Sequence, residues 1–156
     1  MKIIFSIYLS FCLAISFKAF SLEKGKWNFV KTDEYCYIGS LAIETDLPPN
    51  KNRGDYYILV YKNIGNLDKV VQIEAGYDFK IGSKINVKID NGNYEFYTTE
   101  DLLGAAWTDE DNKVIFAMKK GLELLVTGES SRGTVTIDKY TLQGFTSAHN
   151  KLDKDC

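Results

Sequence analysis

The sequence has 156 residues, 19 of them basic and 21 acidic, for a net charge of −2 and an apolar content of 45%. That length suits one domain able to bury a core. The mildly acidic balance, without basic runs, excludes a nucleic-acid partner, because such binding rests on neutralising phosphates.

Met1-Lys2 leads into the apolar or small run Ile3 to Phe17, the layout of a secretory signal peptide. The run is about 15 residues, short of the roughly 20 that a membrane span needs. Ala19 and Ser21 supply small residues where a signal peptidase reads, so cleavage is expected after Ser21. An uncleaved anchor is the alternative. Phe11 is too bulky before Cys12 for a lipidation signal, so Cys12 leaves with the signal. Losing Lys2 and Lys18 turns 19 basic and 21 acidic residues into 17 and 21, a net charge of −4. Residues 22–156 are then a single β-rich domain without a stable membrane span.

Lys26 to Lys31 and Tyr35 to Ile43 read as strands, rich in aromatic and β-branched residues. Leu47 to Gly54, with Pro48 and Pro49, reads as an exposed loop, since proline cannot extend a ladder. Asp55 to Tyr61 is strand-like and central, and Val70 to Ala75 follows. Lys84 to Asp90 and Asn93 to Thr98 flank Asn91-Gly92, a hairpin signal, with Ile85, Val87 and Ile89 on one face. Thr108 and Asp111 have capping-box spacing for a helix over about Asp109 to Lys120. Its core side is Val114, Ile115 and Met118, and Gly121 ends it. Leu122 to Val126 and Thr134 to Tyr140 read as strands around the turn Gly128-Glu-Ser-Ser-Arg-Gly133. A second helix is expected from Thr141 as N-cap, with Leu142, Phe145, Ala148 or His149, and Leu152 on one face. The fold class is mainly β: an antiparallel β-sandwich or partly open barrel, with two short helices over an edge or end.

Cys36 and Cys156 survive signal cleavage as an even pair in an oxidising compartment, so one disulfide should join the second strand to the last residue. A redox pair would want Cys-x-x-Cys or a thiolate-stabilising neighbour. No catalytic set stands out. His149 is the single histidine, and a helical packing role accounts for it; Ser130 and Ser131 are accounted for by their turn. Asp109 to Asn112 lacks the glycine and distal glutamate of a calcium loop, and Gly128 to Gly133 lacks the lysine of a P-loop. Neither a metal nor a cofactor is expected. Arg53-Gly54-Asp55 is the tripeptide of integrin ligands, but a turn before a strand explains it. Arg53 and Arg132 each precede a glycine at a strand entry and are candidates for facing a ligand. Their structural alternatives are capping loop carbonyls or pairing with Asp55 and Asp138. The aromatic set Tyr35, Tyr37, Tyr56, Tyr57, Tyr61, Tyr77, Tyr94, Phe96 and Tyr97 offers either a stacking surface or cross-strand pairs.

Three motifs carry a resemblance: Ala117-Met-Lys ended by Gly121; Val126-x-Gly-x-Ser-x-Arg-Gly-Thr134; and Asp138-x-Tyr-x-Leu-x-Gly-Phe-x-x-Ala148. With Trp27, Cys36, Arg53-Gly-Asp-x-Tyr57 and Val87-Lys-Ile-Asp90 they resemble the invasion-associated locus B family of small alphaproteobacterial envelope proteins. The resemblance implies an exported, non-enzymatic protein, periplasmic, outer-membrane associated or secreted. It would bind an envelope or host-surface protein or glycan, with host-cell invasion the phenotype in pathogenic members. Paired cysteines fit the family too. The alternatives are a periplasmic hydrolase, for which His149 or two carboxylates would converge in a pocket, and a carrier of small ligands or peptides with a deep apolar cavity.

Overall fold

A computed structural model describes residues 22–156. The expected signal peptide, its expected cleavage site and Cys12 lie outside the described residues. The strands are β1 (Asn28–Lys31), β2 (Tyr35–Leu41), β3 (Glu44–Thr45), β4 (Tyr57–Asn63), β5 (Val70–Glu74), β6 (Lys84–Ile89), β7 (Gly92–Thr99), β8 (Leu102–Trp107), β9 (Glu123–Glu129) and β10 (Val135–Thr141). Helix α1 (Asp111–Lys120) sits between β8 and β9, and α2 (Phe145–Asp155) follows β10. Every paired neighbour is antiparallel, in the order β1-β2-β4-β5-β8-β7-β6-β9-β10-β3.

The sheet curls because the chain changes sides after β2. Ala42 donates its N–H to Tyr56 O, on the β4 side, and Ile43 donates to Lys139 O at 2.8 Å, on the β10 side. Consecutive amides of an extended chain point in opposite directions, so these two residues bring the far ends of the sheet together. No ladder joins the outer strands β1 and β3, so the barrel stays partly open. That crossing also ends the strand expected over residues 35–43 at Leu41, and β3 follows it as a separate short strand.

Alternation decides most of the core. Ile38, Ile58, Val60, Val71, Ile73, Ile85, Val87, Leu124 and Val126 point inward, each buried aliphatic contributing about 1.5–3 kcal/mol. Helix α2 lies over β1 and β2. Its buried face is Phe145, Ala148, His149 and Leu152, the face expected from its spacing. Phe145 meets Trp27 edge-on with ring centroids 4.8 Å apart, and Cys36 and Cys156 are bonded, pinning the end of α2 to the start of β2. Helix α1 buries Val114, Ile115 and Met118 as expected. Among the described residues no helix is long and apolar enough to cross a membrane.

Several boundaries differ from the sequence expectation, each for a non-local reason. The hairpin turn is Asp90-Asn91, one residue early, with Ile89 opposite Gly92. Asp90 is held at φ 48° while its carboxylate accepts the N–H groups of Leu122 and Glu123. The capping box does not form: Asp111 accepts the Val71 N–H at 2.7 Å, tying α1 to β5. Thr141 stays in β10 opposite Glu123, its carbonyl accepting the Trp27 indole N–H at 3.0 Å. Helix α2 therefore starts after Gly144, which caps it at φ 86° rather than lying inside it. Strand β8 is unforeseen, because Leu102-Leu-Gly-Ala-Ala lacks β-branched residues and pairs only by bridging β5 and β7.

Strand β10 inverts the usual polarity. Thr136, Asp138 and Tyr140 face the interior, whereas Val135 and Ile137 are 56% and 41% exposed.

Candidate functional site

Thr136, from the inward polar row of β10, lines one wall of a cleft of about 730 Å³. Its other walls are the loop before β4, the Gly76-Tyr77-Asp78 segment after β5, and the Ser130–Thr134 turn. Two glycines position the floor. Gly54 donates its N–H to Gly76 O at 2.9 Å, and Gly76 has φ +72°. A Cβ on Gly76 would lie 2.2 Å from Gly54 O, so only glycine lets the two segments abut.

That contact delivers Arg53 to the interior. Its guanidinium forks onto Asp138, Nη1 donating to Oδ2 at 2.8 Å and Nη2 to Oδ1. Nη1 also donates to Ala75 O at 3.0 Å, and Nη2 to Thr45 Oγ1 at 2.9 Å. The Tyr56 ring stacks beneath, 3.6 Å from Cζ. Arg53 and Asp138 side chains are 4% and 2% exposed, and Arg53 Nε is buried without an acceptor. Burial alone pulls the Arg53 guanidinium down; the hydrogen bonds and charge of Asp138, with Tyr56 and Tyr77, more than offset this, and the net shift is upward. Arg53-Gly54-Asp55 therefore does not present its arginine to solvent, and the loop expected to be exposed sends this one side chain inward.

Tyr77 completes the floor, its hydroxyl 2.8 Å from Thr136 Oγ1 and its pKa raised chiefly by burial. A Cβ on Gly128 would lie 2.7 Å from Phe79 and 3.1 Å from the Tyr77 hydroxyl, so the glycine of the Val126-x-Gly motif makes room for both rings.

The rim is of different character. Ser130 N–H donates to Thr134 O, Ser131 N–H to Asp78 O and Gly133 N–H to Ser130 O, each at 2.8 Å, so these three amides are spent within the chain. Lys51 reaches across the cleft to Thr134 Oγ1 at 3.2 Å. Among the described residues, the side chains of Asn52, Asp78, Ser131 and Arg132 make no hydrogen bond or ion pair. Arg53 and Arg132 are the only arginines of the sequence, and they line the same cleft. One is fixed in the floor and one is free at the mouth.

Elsewhere, His149 is 2% exposed, with Nδ1 3.1 Å from Asp153 Oδ2 but outside hydrogen-bonding geometry. Burial lowers its pKa, Asp153 opposes that, and Lys119 and Lys69 reinforce it. The adjoining concavity of about 250 Å³ has no serine, threonine or cysteine in its lining. Among the described residues no three His, Cys, Asp or Glu side chains gather where they could hold a metal ion. The aromatic set is dispersed: Tyr35, Tyr37 and Tyr61 lie on the outer face of β2 and β4, Tyr56 and Tyr77 flank Arg53, and Phe96 is core.

The family model for Invasion associated locus B (IalB) protein matches residues 32–153. The chain belongs to the IalB family. Its fold is similar to the crystal structure of invasion associated protein b from Bartonella henselae, with a TM-score of 0.57 and 15% identity, covering 83% of this chain and 93% of that one. No curated protein matches it in sequence. The IalB match contains every residue of the cleft, including the Val126–Thr134 motif that builds its turn. Sequence alone brought forward Arg53, Arg132 and Asp138. It also named Tyr77 among the aromatics, and it missed Lys51, Asn52 and Asp78.

Proposed function

We propose that this IalB family member is an exported, non-enzymatic envelope protein that acts by binding, and that the cleft is where it binds. The observation that carries this is the convergence of both arginines on one cleft, with Arg132 unpaired at the mouth. Export is supported by the apolar leader and by the Cys36–Cys156 bond, since disulfides persist in oxidising compartments. The protein is then periplasmic, associated with the outer membrane, or secreted. The Bartonella henselae neighbour is described as invasion associated; for this chain, a host-surface protein or glycan is one form of the partner and an envelope component the other. The observation favouring a second role, hydrolysis, is the closeness of His149 and Asp153, and a lining without serine, threonine or cysteine weighs against it.

The test is recovery of a stoichiometric partner from native envelopes by the exported chain and by its Arg132→Ala variant. Loss of the partner with Arg132→Ala is expected. Undiminished recovery would remove the cleft from the proposal, and an N-terminus other than Leu22 on periplasmic material would remove the cleavage site.

A further inference from the structure

We propose that the cleft takes a saccharide bearing a phosphate or carboxylate group, an assignment that rests on the cleft being the binding site. Arg132 and Lys51 would hold the anion, and Asp78, Asn52 and Ser131 the sugar hydroxyls. Charge comes first. Arg53 and Asp138 cancel in the floor, which leaves Lys51 and Arg132 against Asp78 at the rim. Lys51 Nζ lies 3.2 Å from Thr134 Oγ1, on the turn that carries Arg132 two residues earlier. Two cations thus line one cleft, and a guanidinium fork suits phosphate or carboxylate oxygens.

Size and lining argue against a bare anion. A cleft of about 730 Å³ lies in the range of sites for molecules far larger than phosphate. Asp78 would repel a simple dianion, but its carboxylate accepts hydrogen bonds from hydroxyls. Asn52 and Ser131 each offer a donor and an acceptor, the mixed capacity a polyol matches. Apolar lining is sparse, with Leu47 the one aliphatic side chain, so neither an acyl chain nor a large apolar side chain has a subsite.

Backbone supply separates a sugar from an acidic peptide. A peptide adding to a strand needs free main-chain donors and acceptors. Here the N–H groups of Gly54, Ser130, Ser131 and Gly133 are all spent on carbonyls within the chain, and that of Thr134 on Ser130 Oγ at 3.1 Å. Along the Ser130–Thr134 turn only the Arg132 N–H is left over, so a peptide has no run of main-chain donors there to pair with, and side-chain groups dominate what that wall offers.

The experiment titrates the exported, oxidised chain by amide NMR with glucose 6-phosphate, glucuronate, glucose, inorganic phosphate and a tetraglutamate peptide. Glucose 6-phosphate or glucuronate should shift residues 51–54, 76–78 and 130–136 saturably at millimolar concentration, about tenfold more tightly than glucose or phosphate. Arg132→Ala and Lys51→Ala should each weaken this about tenfold, with the remaining amide spectrum unchanged. Whichever charged sugar binds more tightly identifies the anion as phosphate or carboxylate. No saturation by either charged sugar up to about 20 mM, equal binding of inorganic phosphate, or tighter binding of tetraglutamate overturns the assignment. If the sugars fail while Arg132→Ala still loses the envelope partner, only the ligand class falls. If Arg132→Ala keeps the partner, the cleft and its ligand fall together.

Discussion

Asp138→Ala should destabilise the protein far more than an ordinary ion-pair deletion. Exposed pairs contribute about 0–1 kcal/mol, because water screens both charges. Asp138 and Arg53 are 2% and 4% exposed, so the truncated protein keeps a buried guanidinium with no counter-charge. Removing one partner of such a pair costs about 3–5 kcal/mol. Arg53 would retain Ala75 O, Thr45 Oγ1 and the Tyr56 face, which places the expected loss toward 3 kcal/mol. In a domain of this size that lowers Tm by roughly 10–15 °C. Arg53→Met should cost a similar amount by stranding the carboxylate, and the double variant should cost no more than either single one. Urea unfolding of all four proteins, with the m-value unchanged, measures this cycle. A loss below about 1 kcal/mol for Asp138→Ala, or additive single effects, would refute the buried-pair account.

The remaining predictions address other joints of the fold. The Cys36–Cys156 bond spans 120 residues, so Cys156→Ser should lose about 4–5 kcal/mol on the chain-entropy model, read as a drop in denaturation midpoint that reductant reproduces in the parent protein. Gly76→Ala must place a Cβ against Gly54 O at a left-handed φ, and a loss of at least about 2 kcal/mol is expected; a neutral result would mean that the two glycines do not abut. His149 has its folded pKa lowered from 6.5, chiefly by burial, so the unfolded chain binds this proton more readily. Its contribution is therefore intact above pH 6.5 and is lost as pH falls below that and through the folded value. Urea midpoints at about pH 7.5 and 5.5 should differ, and His149→Gln should flatten that part of the difference.

How much of this was legible depended on whether a residue's environment is local. Ile85, Val87 and Ile89 alternate with polar neighbours, so their face could be read directly, as could the inner faces of α1 and α2. Cys36 and Cys156 were legible for a different reason: an even pair in a chain expected to be exported leaves few options. Strand β8 was not, since Gly104, Ala105 and Ala106 become strand only through β5 and β7 on either side. The start of α2 was misplaced because Thr141, a good N-cap in isolation, is held in the ladder by Glu123 and Trp27. Of the cleft, the arginines stood out by type and by the glycines that follow them. Lys51, Asn52 and Asp78 look like ordinary loop polar residues, and their convergence depends on pairings between segments far apart in the chain.

The inverted β10 has a consequence for how the chain finds its register. Moving β10 by one residue against β9 would turn Val135 and Ile137 inward, the arrangement that apolar patterning favours. Within the hairpin the Ser130–Thr134 turn opposes it, Ser130 N–H donating to Thr134 O and Thr134 N–H to Ser130 Oγ. A long-range discriminator is Arg53, 85 positions away in sequence, which grips Asp138 only when that side chain faces the interior. The ion pair thus works as an alignment key beyond the turn: a β9–β10 peptide cut from the protein should populate the shifted register more than the full chain does.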